Sequence, residues 1–122
     1  MLPAQARLRR RPEFTTVVRS GRRAGRPTLV VHYLAQRPVA HTGGPLDPGA
    51  GPRAGFVVGK TVGNSVCRHR VTRQLRHLVR EQLHRLPDSA DLVVRARPEA
   101  GTATFADLAR DLDAGIGRVL GR

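Results

Sequence analysis

Residues 60–80 read KTVGNSVCRHRVTRQLRHLVR and carry Lys60, Arg68, Arg70, Arg73, Arg76 and Arg80, with His69 and His77 and no acid. Guanidinium groups three or four residues apart suit pairing with phosphate, because each presents a planar fork of N–H donors. Catalysis by side chains needs different company: a carboxylate pair, a metal cluster or an activated nucleophile. The two basic stretches of the chain hold only Glu13 and Glu81, and neither has an acidic neighbour in sequence. Asp107, Asp111 and Asp113 follow a helical period and are expected to face solvent. The histidines (His32, His41, His69, His77 and His84) are scattered, and the cations around His77 and His84 disfavour a metal ion there. Gly59-Lys60-Thr61 shares the end of a nucleotide-binding P-loop, but position 54, where that pattern needs Gly, is Ala. No catalytic side chain and no protein-held metal is expected.

The composition points the same way. The chain has 122 residues, enough for one domain with a modest core, and a formal net charge of +13. A compact body with that charge repels itself unless anions neutralise it, so a polyanionic partner is expected. Residues 1–37 hold nine arginines against Glu13, and residues 53–85 hold eight cations against Glu81. Residues 86–122 hold five arginines against six acids and read as a nearly neutral scaffold. Cys67 is the only cysteine, which excludes an internal disulfide and is expected to be a small buried thiol. No apolar run approaches the ~20 residues that span a bilayer. Without a signal-like apolar stretch near Met1, a cytoplasmic location and no membrane partner are expected.

The elements that would position these groups are legible in outline. Residues 8–20 are expected to form a helix, with Phe14, Val17 and Val18 on one face, Pro12 in the first turn and Gly21 as a stop. Strands are expected at 29–34 (LVVHYL), 55–59 (GFVVG) and 91–96 (DLVVRA). The Gly- and Pro-rich run 38–54 reads as a flexible loop inside a single domain, 1–122. On a helix over 66–86, Val71, Leu75, Leu78, Val79, Leu83 and Leu86 share one side; Arg70, Arg73, Arg76, Arg80, His69, His77 and His84 gather on roughly the other, and Arg68 falls near the apolar stripe. Asn64 or Ser65 can cap its start. A solvated helix face normally interleaves opposite charges, and this one does not. Residues 103–120 form a last helix, with Phe105, Leu108, Leu112, Ile116 and Val119 on one face. This order gives an α+β fold with helices on a small sheet.

The run from Lys60 to Arg76, with Gly63-Asn64, Val66 and Arg68-His69-Arg70, resembles the signature of the bacterial ribonuclease P protein subunit. The likeness extends to Leu8–Gly21 and to Asp91–Pro98, so it covers nearly the whole chain in order. His69 stands where that family usually has Asn, and Thr72 where it has Lys. The resemblance implies a mostly antiparallel sheet of about four strands packed with three helices on one side. The implied topology is ribosomal-protein-S5-domain-2-like, with a left-handed βαβ crossover. It also implies a role: an RNA subunit with its magnesium removes the 5′ leader of precursor tRNA, and the protein assists. By that likeness Lys60, Asn64, Arg68, His69, Arg70, Arg73 and Arg76 would dock the catalytic RNA. A cleft between the first helix and the sheet, with Arg9, Phe14, Val18 and His32, would hold the leader. Tyr33, on the other face of its strand, belongs to the core.

Two rivals share the charge logic. A ribosomal-type RNA-binding protein would bind without any dependence on the leader. A DNA-binding protein would need a short helix before residues 66–86, where the sequence has a strand instead.

Overall fold

The computed structural model describes residues 6–8, 11–37 and 51–121. Arg9, His41 and residues 38–50 of the expected loop lie outside them.

Three helices and four strands follow one another among the described residues: α1 (Arg11–Ser20), β1 (Arg22–Gly25), β2 (Leu29–Leu34), β3 (Arg53–Val57), α2 (Ser65–Gln82), β4 (Asp91–Ala96) and α3 (Phe105–Val119). The strands form one mixed sheet in the order β1-β2-β4-β3. The β1–β2 and β2–β4 pairs are antiparallel, and β3 lies parallel to β4. The α+β class and the mostly antiparallel sheet expected from the sequence are therefore present.

Alternation along the strands divides the sheet into two faces. Leu29, Val31 and Tyr33 of β2, Leu92, Val94 and Ala96 of β4, and Ala54 of β3 point to the main core. There they meet Val71, Leu75 and Val79 of α2 and Leu108, Leu112, Ile116 and Val119 of α3. The opposite face carries a second, smaller cluster of Leu8, Val17 and Val93, with Phe14 and Leu34 packed against it. The helices are thus not on one side: α1 covers the face opposite α2 and α3. The cause lies in two apolar residues of α1, Phe14 and Val17, which have an apolar strip of their own at Val93.

Several expected boundaries shift. Leu8, the expected start of the first helix, is not helical; its N–H donates to the Ala54 carbonyl at 2.9 Å and Arg7 bridges Ala54, extending the sheet at its β3 edge. Arg53 and Ala54, placed in the loop by composition, belong to β3. β1, with the sequence RRAG, was not expected as a strand.

Asp111, expected to face solvent, is 1% exposed, and its Oδ2 accepts from the Thr28 N–H at 3.0 Å and the Thr28 hydroxyl at 2.6 Å. Glu13 and Asp91, 78 positions apart in sequence, meet through Arg53. The Arg53 guanidinium donates to Asp91 from Nε (2.9 Å) and Nη2 (2.8 Å), and to Glu13 from Nη1 (2.8 Å). The buried Arg37 guanidinium lies 3.2 Å from Asp91 and donates to the Ala90 carbonyl at 2.9 Å and to the Gly51 carbonyl. Two cations and two anions thereby tie α1, β3 and β4 together.

Candidate nucleic-acid interface

α2 begins where the side chain of Asn64 accepts from the Cys67 N–H at 2.9 Å, so Asn64, not Ser65, is the cap. The turn before it, Lys60–Val62, leaves the Lys60 side chain exposed. Gly63 joins turn to helix at φ 154°, and a Cβ there would come within 2.9 Å of Cys67 Cβ and Sγ. Cys67 is half-buried, its sulfur facing the carbonyls of Val62 and Gly101.

The helix presents two different kinds of arginine. His69, Arg73, His77 and Arg80 are exposed on the outward face, and Val66 leads them at 79% exposure. Arg70 instead turns inward. Its Nη2 donates to the Gly101 carbonyl at 2.7 Å and lies 3.5 Å from Cys67 Sγ, and its Nη1 reaches Gln74 at 3.3 Å. It pins the turn Pro98–Gly101 against α2. Arg68 is half-buried, with its Nε unpartnered, as its place near the apolar stripe foreshadowed. Thr72 donates its hydroxyl to the Arg68 carbonyl at 2.8 Å. Of the seven expected docking residues, Lys60, His69 and Arg73 are open, while Asn64 and Arg70 hold the fold in place.

Arg76 faces the other way round the helix, into a cavity of about 320 Å³ lined by Arg7, Leu8, Phe14, Ala54, Phe56, Thr72 and itself. The signature helix and the first helix, read as two separate surfaces, share this cavity. Phe14 reaches it because it lies over Gly55, where a Cβ would stand 2.4 Å from the ring's Cζ.

On that same face of the sheet, strand register sets Arg23, His32, Val93 and Gly55 in one row across the four strands. With strands ~4.8 Å apart, His32 and the strand beneath Phe14 are about 10 Å apart. Val18 of α1 is 45% exposed and Val57 of β3 40%, and Arg23 and Arg95 are exposed as well. His32 is buried, not solvent-facing, and its Nε2 has no hydrogen-bond partner. Burial first, then the charges of Arg95 and Arg23, lower its pKa from 6.5.

That shift has a measurable sign. The folded chain holds His32 neutral, while the unfolded chain protonates it near pH 6.5. Stability is therefore expected to fall as pH drops below about 6.5 and to level off below the lowered folded value. Urea unfolding at pH 7 and pH 5 of the wild type and His32→Gln checks this. The variant should show a smaller acid loss, and an equal loss would remove His32 as a contributor.

Among the described residues, no group of three or more His, Cys, Asp or Glu side chains could hold a metal ion. No helix among them is long and apolar enough to cross a membrane.

The Ribonuclease P family model matches residues 2–120. A Streptomyces griseus ribonuclease P protein component is 56% identical over 121 residues, spanning 99% of this chain and 97% of its own. The Corynebacterium diphtheriae protein component is 44% identical over 119 residues, spanning 98% and 97%. Among solved structures, the ribonuclease P proteins of Staphylococcus aureus and Thermotoga maritima each superpose with a TM-score of 0.72 at 22% identity, covering 93% of this chain and 96% of theirs. The fold is thus shared with those structures, and the sequence with the curated relatives. The chain belongs to the ribonuclease P protein family, taking the protein subunit's part, beside an RNA subunit, in tRNA processing.

Proposed function

We propose that the chain docks the RNA subunit through the outward face of α2 and holds the 5′ leader of precursor tRNA in the cleft between α1 and the sheet. The RNA, supplied with magnesium, performs the cleavage. The protein neutralises phosphate repulsion and adds leader contacts, which raises substrate affinity and lowers the magnesium requirement. The observation that carries this reading is the cavity shared by Arg76 and Phe14, which makes the α2 side and the α1 side one continuous surface. Further support comes from the carboxylates: the two nearest the cleft, Glu13 and Asp91, are both bound by Arg53 and so are not free to act as general bases.

Cleavage of a leader-bearing precursor by a ribonuclease P RNA at low magnesium, with and without the protein, tests the reading. Stimulation that disappears when the leader is removed supports it. Tight RNA binding without stimulation would favour a ribosomal-type binder instead.

Phe14→Ala removes the ring that lies over Gly55 in this cleft. The variant is expected to lose about 5- to 100-fold in affinity for precursor tRNA, the range of one base–ring stack, and to leave mature tRNA nearly unaffected. Competition binding with both tRNAs on the holoenzyme checks it; equal losses would assign Phe14 to packing alone.

A further inference from the structure

The sequence pattern places Phe105 in the core with Leu108, Leu112, Ile116 and Val119. Those four are buried, yet Phe105 is 42% exposed. It is the first residue of α3, and a capping box fixes its position: Thr104 accepts from the Asp107 N–H at 3.0 Å, and Asp107 accepts from the Thr104 N–H at 3.1 Å. The ring therefore emerges at a defined place. That place is beside His77 of α2, with ring centroids 5.9 Å apart and planes tilted by 48°. Rings so separated and tilted are not stacked face to face on one another, and both residues are exposed.

The surroundings limit what can pack against them. His77 is exposed on the outward face of α2, one turn after Arg73 and one turn before Arg80. Among the described residues, the large hydrophobics left exposed are Val18, Val57, Val66 and Phe105. Val18 stands on α1, Val57 on β3 and Val66 on α2, and Phe105 is the only aromatic of the four. A partner drawn to the arginines is a polyanion, and the flat apolar unit that a polyanion carries is a nucleobase. Bases inside an RNA helix are already stacked on their neighbours, so the base in question is unpaired.

We propose that His77 and Phe105 form a stacking platform for one unpaired base of the RNA that docks on α2. The inference rests on the docking role proposed above. Stacking releases no counterions, so it contributes affinity without contributing to salt dependence, unlike an arginine–phosphate contact.

The test is binding of full-length protein to ribonuclease P RNA and to a fully paired duplex of equal length, over a series of salt concentrations. Phe105→Ala is expected to weaken binding to the ribonuclease P RNA about 5- to 100-fold with an unchanged log–log salt slope. His77→Ala should act in the same direction, and Phe105→Trp should restore binding; thermal melting confirms that each variant is folded. Wild-type affinity in Phe105→Ala, or a Phe105→Leu variant as good as the wild type, would overturn the platform. If the wild type itself does not prefer ribonuclease P RNA over the duplex, the docking role falls and the platform with it. If that preference survives intact in Phe105→Ala and His77→Ala, only the platform falls.

Discussion

Asp91→Ala is expected to destabilise the protein by about 3–5 kcal/mol, the cost of removing one partner from a buried ion pair. Asp91 is 2% exposed and faces two guanidiniums, Arg53 through two hydrogen bonds and Arg37 at 3.2 Å. Removing its carboxylate leaves two cations in the interior with Glu13 and backbone carbonyls as compensation. For a domain of this size the midpoint of thermal unfolding should fall by on the order of 10–20 °C. Asp91→Asn, which keeps an acceptor of the same shape, should lose less. The effect should also reach α1, because Arg53 connects Asp91 to Glu13, one residue from Phe14. Urea or thermal unfolding of both variants gives the answer. A loss below about 1 kcal/mol would mean that water reaches the network and screens it.

Replacing Arg73, Arg76 and Arg80 together with Ala is expected to weaken binding to the RNA subunit roughly 100-fold near 0.1 M salt. The slope of log affinity against log salt should shrink by about 2–3 units, since each lost phosphate contact removes ~0.7–0.9. Arg73 and Arg80 are exposed, and Arg76 opens onto the Phe14 cavity. Arg70→Ala serves as the contrast. Its guanidinium is bound to Gly101, so its loss should cost stability, about 1–3 kcal/mol for a charged hydrogen bond, and change the slope less than Arg73→Ala does. Salt titrations of RNA binding, paired with melting curves, separate the two roles. A triple variant with the wild-type slope would show these three arginines to be merely solvated.

The contrast between Arg70 and Arg73 shows what the sequence made legible. Residue type and helical period were enough to find α2, its buried stripe and its cationic face, because both signals are local. Strands β2 and β4 were legible as apolar runs with the observed boundaries. What period cannot report is which carbonyl lies opposite a side chain in space. Gly101 is 31 positions from Arg70, and nothing in the run RHRVTR distinguishes the arginine that meets it. The Glu13–Arg53–Asp91 chain is hidden for the same reason. β1 is hidden for another: RRAG contains no strand former, and it is extended because it pairs with β2 and turns Ala24 into the core. Phe105 fits the apolar period of α3, yet at the first position of that helix its side chain falls beyond the edge of the core.

The Arg37 guanidinium, by holding the Gly51 carbonyl, fixes the distance between the points where the chain leaves β2 and returns toward β3. The folded body sets that gap, whatever joins its two sides. Doubling the number of joining residues then adds only about 0.6 kcal/mol of closure entropy. The junction also sits beside Asp91, at the first residue of β4, whereas Gly101 and the start of α2 lie beyond the strand's other end. An inserted peptide tag or fluorophore-binding sequence would therefore emerge at the end of the sheet remote from the start of α2. Natural length variation among relatives is expected to concentrate at the same point.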